Sequence, residues 1–156
     1  LSDLSGIEAL TSLETLGVYF NDLNSLDPIS GLTGLKRLYI YNNQITSLAP
    51  VSGLASLREL WAQNNQITDL SPIRGLNELR ELFVNDNAIT DISPIEGLPA
   101  LAFFYAANNQ ISDISAVAQT PSLTDVSFVG NPVTDMSPAA NVRNVNKPMF
   151  GNAAKQ

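Results

Sequence analysis

The chain has 156 residues, 44% of them hydrophobic, enough to form a packed core in one compact domain or in stacked layers. Its 15 acidic against 8 basic residues leave a formal charge of -7, which argues against nucleic acid and anionic membrane surfaces as partners, because both rely on a basic face. Cys and His are both absent, so thiol and Ser-His-Asp nucleophiles, ordinary zinc sites and disulfides are excluded, and no cofactor is expected.

From the N-terminus, Leu1, Leu4, Ile7 and Leu10 fall on the spacing of Ile89, Ile92, Ile95 and Leu98 further on, so residues 1–9 read as the second half of a repeat. No N-terminal cap is visible; either the start is truncated or this segment is a minimal cap. Six complete units follow, from about residue 10 to 141. The fragment NNQIT at 42–46 returns at 64–68, as DNAIT at 86–90 and as NNQIS at 108–112, each step being 22 residues. Leu13, Leu35, Leu57, Leu79, Leu101, Leu123 and Val145 keep one phase of that period. A partial repeat occupies 142–156, where Val142, Val145 and Phe150 continue the apolar phase and Pro148 takes the place of a strand leucine. With Lys147 beside it, Pro148 predicts an edge that resists further strand pairing.

Within each unit, a period-2 apolar pair such as Leu38 and Ile40, or Leu82 and Val84, predicts a short strand with one buried face. The asparagine that follows (21, 43, 65, 87, 109, 131) ends the strand, and its amide satisfies backbone groups at the bend. The return segment, such as Asp69 to Ile73, carries apolar residues about three apart, which suits a 3₁₀ turn begun at Ser-Pro. Gly31, Gly53, Gly75 and Gly97 are expected to close these turns in a left-handed conformation. Asp69, Asp91, Asp113 and Asp135 form a row that reads as turn-capping rather than metal-binding, since each stands without a cluster of oxygen ligands. In the fifth unit Ala116 replaces Pro and Gln119-Thr120 replaces Gly-Leu, so its return segment is expected to repack locally.

This period and spacing are those of leucine-rich repeats, and the form NQITDLSPIRGL at 65–76 resembles the bacterial internalin family over nearly the whole chain. The resemblance implies an α/β leucine-rich-repeat solenoid: one domain over 1–156, a curved right-handed superhelix with a concave parallel β-sheet and short 3₁₀ or irregular convex segments. It also implies an extracellular or bacterial-surface location and recognition of host proteins.

Side chains alternate along a strand, so the residues between the buried ones stand on the concave face. They form three columns: Thr15, Arg37, Glu59, Glu81, Phe103, Asp125; then Gly17, Tyr39, Trp61, Phe83, Tyr105, Ser127; then Tyr19, Tyr41, Gln63, Asn85, Ala107, Val129. Of the 11 aromatic residues, Tyr19, Phe20, Tyr39, Tyr41, Trp61, Phe83, Phe103 and Tyr105 read as outward, leaving Phe104, Phe128 and Phe150 in core phase. Stacked rings would stiffen the sheet, yet even half-hidden they predict an exposed patch of roughly several hundred Å², which implies a partner.

The expected function is a non-catalytic protein-recognition module. Tyr39, Trp61, Phe83 and Tyr105 serve as anchors, Tyr19, Tyr41 and Phe103 as flanking contacts, and Arg37, Arg58, Glu59 and Glu81 orient the partner. Carbohydrate is the alternative ligand, drawn from the same rings and the adjacent row Asn42, Asn64, Asp86 and Asn108. An enzyme is a third reading, with Glu59 and Glu81 spaced like a retaining glycosidase pair, but an open face would leave both carboxylates in free contact with water. A monomer without membrane insertion is expected, since no apolar run reaches the roughly 18 residues of a spanning helix.

Overall fold

The computed structural model describes residues 1–148. Each unit crosses one parallel sheet and returns through a tight turn. The strands β1 (Thr15–Gly17), β2 (Arg37–Tyr39), β3 (Glu59–Trp61), β4 (Glu81–Phe83), β5 (Phe103–Tyr105), β6 (Asp125–Ser127) and β7 (Asn144–Val145) are hydrogen-bonded in chain order. Each residue from β1 to β6 pairs with its counterpart one repeat later, so that Leu16, Leu38, Leu60, Leu82, Phe104 and Val126 form one row. That row, the row of Ile40, Ala62, Val84 and Ala106, and Ile29, Val51, Ile73 and Ile95 from the return turns make one continuous core. A single unit would leave its apolar face open, so burial here comes from stacking.

The asparagine ladder holds the bend after each strand. Asn65, almost fully buried, donates through Nδ2 to the carbonyls of Ile40 (3.0 Å), Ala62 (3.1 Å) and Gln63 (3.2 Å), and its Oδ1 accepts from the Ile45 amide at 2.9 Å. Asn43, Asn87, Asn109 and Asn131 repeat this arrangement. On the return side, Ser71–Ile73, Ser93–Ile95 and Ser137–Ala139 are 3₁₀ turns with Pro near the start. Asp69 accepts from the Ser71 amide (2.8 Å) and hydroxyl (2.9 Å), and Asp91, Asp113 and Asp135 accept from the equivalent serine amides. The aspartate row therefore caps turns. Among the described residues no group of three acidic side chains is placed to hold a metal ion.

Several expectations need correction. Gly75 (φ 81°) and Gly97 (φ 74°) are left-handed, but Gly31 and Gly53 are not. Arg74 and Glu96 before the first pair are extended, with ψ of 130° and 127°, and the turn they open needs a positive φ next. Ser30 and Ser52 stay helical, so their turns do not. At the C-terminal end Val126 pairs with Val145 and Asp125 with Asn144, so the last unit is short and Val145, not Pro148, occupies the strand-leucine place. Lys147 and Pro148 are exposed just past that two-residue strand. Phe150 lies outside the described residues. The fifth return segment repacks as expected: with Ala116 in place of Pro it forms a short α-helix, α1 (Ser115–Ala118). Thr120, in a leucine's place, is buried with its hydroxyl bonded to the carbonyls of Ala116 (2.9 Å) and Ile95 (3.1 Å).

Candidate functional site: the concave sheet face

Strand alternation places the aromatic column where the sequence predicts, outside the core and along the sheet. Ring centroids are 4.4 Å apart for Tyr39 and Trp61, 5.2 Å for Trp61 and Phe83, and 5.1 Å for Phe83 and Tyr105. Adjacent strands are about 4.8 Å apart, so each ring lies against the next. The consequence corrects the sequence expectation: Phe83 is 0% and Tyr105 4% exposed although neither points into the core. Tyr39, Tyr41, Trp61 and Phe103 are half-buried. The four central rings thus pack as a second apolar layer on the sheet, and Phe83 and Tyr105 support the face rather than offering it. Phe103 carries the Arg80 guanidinium 5.0 Å above its ring.

Polar atoms of the rings are bonded diagonally to carboxylates of the next strand. Tyr39 Oη donates to Glu59 Oε1 at 2.5 Å, and Trp61 Nε1 donates to Glu81 Oε1 at 3.1 Å. The repeat explains the pattern: the column holding Glu59 and Glu81 sits two residues before the rings of its own strand, within reach of the ring one strand earlier. Arg37 Nε also meets Glu59 at 3.4 Å, and Arg80 meets Glu81 at 3.9 Å. Burial raises the Glu81 carboxyl above its ordinary range, outweighing the indole hydrogen bond that lowers it. Burial first, then the Glu59 hydrogen bond, pushes the Tyr39 phenol upward, and burial likewise raises Tyr41 and Tyr105. Both carboxylates of the supposed glycosidase pair are thereby engaged in holding the ring ladder.

At the rim where strands begin, Lys36 pairs with Glu14 at 3.0 Å and Arg58 with Glu78 at 3.8 Å. Exposed pairs of this kind contribute about 0–1 kcal/mol to stability. The opposite rim, where strands end, is built differently. Asn42, Asn64, Asp86 and Asn108 hold φ between 55° and 59°, and their side chains link along the row, Asn64 to Asn42 and Asn108 to Asp86. Gly130 ends that row; a Cβ there would stand 2.1 Å from Asn108 Oδ1.

Phe20 belongs to this row and not to the strand face, which corrects its sequence assignment. Its φ is 56°, and it is 72% exposed. A left-handed conformation costs a bulky residue about 1 kcal/mol or more, whereas Asn, Asp and Gly adopt it readily. Phe20 stands edge-on to Tyr41 (5.8 Å, 84°) and Tyr19 (6.2 Å, 81°), while Tyr19 and Tyr41 stack at 4.7 Å with planes 2° apart. Tyr19 is 45% exposed. Phe20, read from sequence as one more outward strand ring and not named among the contact residues, is the candidate that the sequence reading left out; the signal for it is a phenylalanine in a column of Asn and Asp. At the far end, small side chains at Ala107 and Ser127 leave a hollow of about 370 Å³ beside Tyr105, bordered by Val129, Asn146 and Lys147.

A parallel sheet of repeat strands, an asparagine ladder behind it and capped return turns define a leucine-rich-repeat solenoid. The chain belongs to the leucine-rich-repeat family, in its bacterial internalin-like form: the family described as leucine-rich repeats in two copies matches residues 11–55, 55–97 and 78–119. An internalin C2 from Listeria monocytogenes is 32% identical, with a TM-score of 0.75 over 94% of this chain and 74% of that one. A second Listeria monocytogenes internalin, inlF, is also 32% identical, with a TM-score of 0.69 over 90% of this chain and 48% of its own. A leucine-rich-repeat protein from Leptospira interrogans is 28% identical, with a TM-score of 0.82 over 88% of this chain and 38% of its own. No match was found among curated protein sequences. Proteins of this family typically act as non-enzymatic binding modules, with proteins as their usual partners.

Proposed function

We propose that the chain recognises a partner protein across its concave face, at an exported or bacterial-surface location and in adhesion or host contact. The observation that carries this reading is the set of partly exposed rings on one sheet face, Tyr19, Tyr39, Tyr41, Trp61 and Phe103, bordered on one side by Lys36, Arg37, Arg58 and Arg80 with their acidic neighbours. Aromatic side chains within a rim of mixed charge match the composition of protein interfaces. Phe83 and Tyr105 hold the rings in place, and Glu59 and Glu81 fix their orientation. A carbohydrate ligand is the second reading, favoured by the hollow beside Tyr105, where Ser127, Asn146 and Lys147 supply polar groups.

The emission of Trp61, the only tryptophan, separates the two readings. In the first arm, soluble oligosaccharides are titrated while that emission is followed. In the second, a display library of secreted and cell-surface protein domains is selected against the chain and against a Tyr41→Ala, Arg37→Ala variant. Domains retained by the parent chain and lost by the variant, with emission indifferent to sugars, are the expected result. A saturating spectral shift with one sugar, and no domain that distinguishes the variant, would replace a protein partner by a glycan.

A further inference from the structure

We propose that Tyr19, Phe20 and Tyr41 form the principal anchor of this recognition face, and that the matching surface of the partner protein is an apolar pocket edged by lysine or arginine side chains. The proposal rests on the reading of the chain as a protein-recognition module and locates its centre at the first two units instead of along the central ring ladder.

The conformation of Phe20 is the first argument. At the same place in the repeat stand Asn42, Asn64, Asp86, Asn108 and Gly130, all residues suited to positive φ, whereas Phe20 keeps φ 56° with a ring that is 72% exposed. The fold would be served better by asparagine on both counts. A strained backbone bearing an exposed apolar ring is a feature that stability alone does not explain.

The corner is also rigid before any partner arrives. The Phe20 amide donates to the Tyr41 carbonyl at 3.1 Å, and the Asn21 amide to the Asn42 carbonyl at 3.2 Å. Asn21 Nδ2 donates to the carbonyls of Val18 (3.0 Å) and Tyr19 (2.9 Å). With Tyr19 and Tyr41 stacked and Phe20 set across their edges, three rings form one knob whose ordering cost on binding is small. By contrast, Phe83 and Tyr105 have almost no surface left to offer.

Charge selects the partner's chemistry. Lys36, Arg37, Arg58 and Arg80 all lie at the rim where strands begin, across the sheet from Phe20. The rim where strands end carries Asp22 and Asp86, and the return segments behind it carry Asp69, Asp91, Asp113 and Asp135 together with Arg74, which donates to the Ser93 hydroxyl at 3.5 Å, farther along the solenoid from Phe20. Asp22 follows Phe20 and Asn21 directly in the chain and is exposed. An apolar knob in a negative field is complementary to a pocket with a basic edge.

A random peptide display library, selected against the full chain, tests this. The variant Phe20→Asn installs the residue the row prefers, so its thermal midpoint should equal or exceed that of the parent; a fall would show that Phe20 serves packing, and would overturn the proposal. Recovered peptides should place Lys or Arg beside an aromatic or aliphatic residue, bind Phe20→Asn roughly 30-fold more weakly, and weaken between about 0.05 and 0.5 M NaCl. Equal affinity for Phe20→Asn, or acidic peptides, would refute the proposal. If binding is instead lost only in Phe103→Ala, the concave-face reading stands and the corner is refuted; if peptides distinguish neither variant, both fall. Sedimentation showing a parent dimer that Phe20→Asn dissociates would assign the knob to a second copy of the chain and overturn the basic pocket.

Discussion

Trp61 and Glu81 lie on adjacent strands, with the indole Nε1 donating to the carboxylate at 3.1 Å. The bond spans a diagonal of the sheet, and one strand earlier the same diagonal joins Tyr39 to Glu59. It couples the only tryptophan to a carboxyl that burial holds above its ordinary value of 4.5. Trp61 emission should therefore titrate with a midpoint above 4.5, and Glu81→Gln should abolish that titration. The sign for stability follows from the raised value. Glu81 favours the folded state in its neutral form, so its contribution is complete at low pH and is lost as pH rises through the folded-state midpoint. The midpoint of Glu81→Gln minus that of the parent should increase from pH 3 to pH 7; a constant difference would show that Glu81 is not desolvated.

Asp113 and Asp135 should show the opposite dependence. Hydrogen bonds from Ser115 and Ser137 lower both carboxyls from 3.8, so they stabilise the fold when ionised, and that contribution disappears as pH falls through their folded-state values. Asp135→Ala should lower the thermal midpoint at pH 7 and leave it close to the parent below pH of about 3. Calcium should move neither midpoint, because the row caps turns; a calcium-dependent rise in the parent that is lost in the variant would identify a metal role instead.

Phe83→Ala should behave as a core substitution. The ring is fully buried between Trp61 and Tyr105, and removing a buried phenylalanine costs about 3–5 kcal/mol. Urea unfolding measures this directly. A loss under about 1 kcal/mol would indicate that the ring layer contributes little to packing.

Asn65→Ala tests the ladder. The side chain satisfies three carbonyls and one amide in a nearly dry site. Each buried group left unpaired costs about 1–3 kcal/mol, so the variant should lose at least as much stability as Phe83→Ala. The end-of-ladder change Asn21→Ala, in a more exposed place, should cost less. Equal losses at both positions would contradict a ladder whose strength depends on burial.

The 22-residue period, the strand and return-turn positions, the asparagine ladder and the capping aspartates were all legible in the amino-acid sequence. Each answers a local demand of the backbone, alternation along a strand or an unpaired group at a bend, and the repeat states that demand many times over. Alternation likewise showed which side of the sheet the rings occupy.

How much ring surface remains open was decided by tertiary structure. Phe83 and Tyr105 are hidden by neighbours contributed from other units, and the spacing of strands, rather than any property of either residue, closes the gap. The diagonal from Trp61 to Glu81 depends in the same way on two chains of backbone held at a fixed offset. The short last unit, which pairs Val126 with Val145, reflects a choice of register among similar apolar residues that periodicity alone resolves wrongly. Phe20 lies between the two cases: its column is written in the sequence, but the exposure and left-handed backbone that set it apart emerge only when the first two units stack.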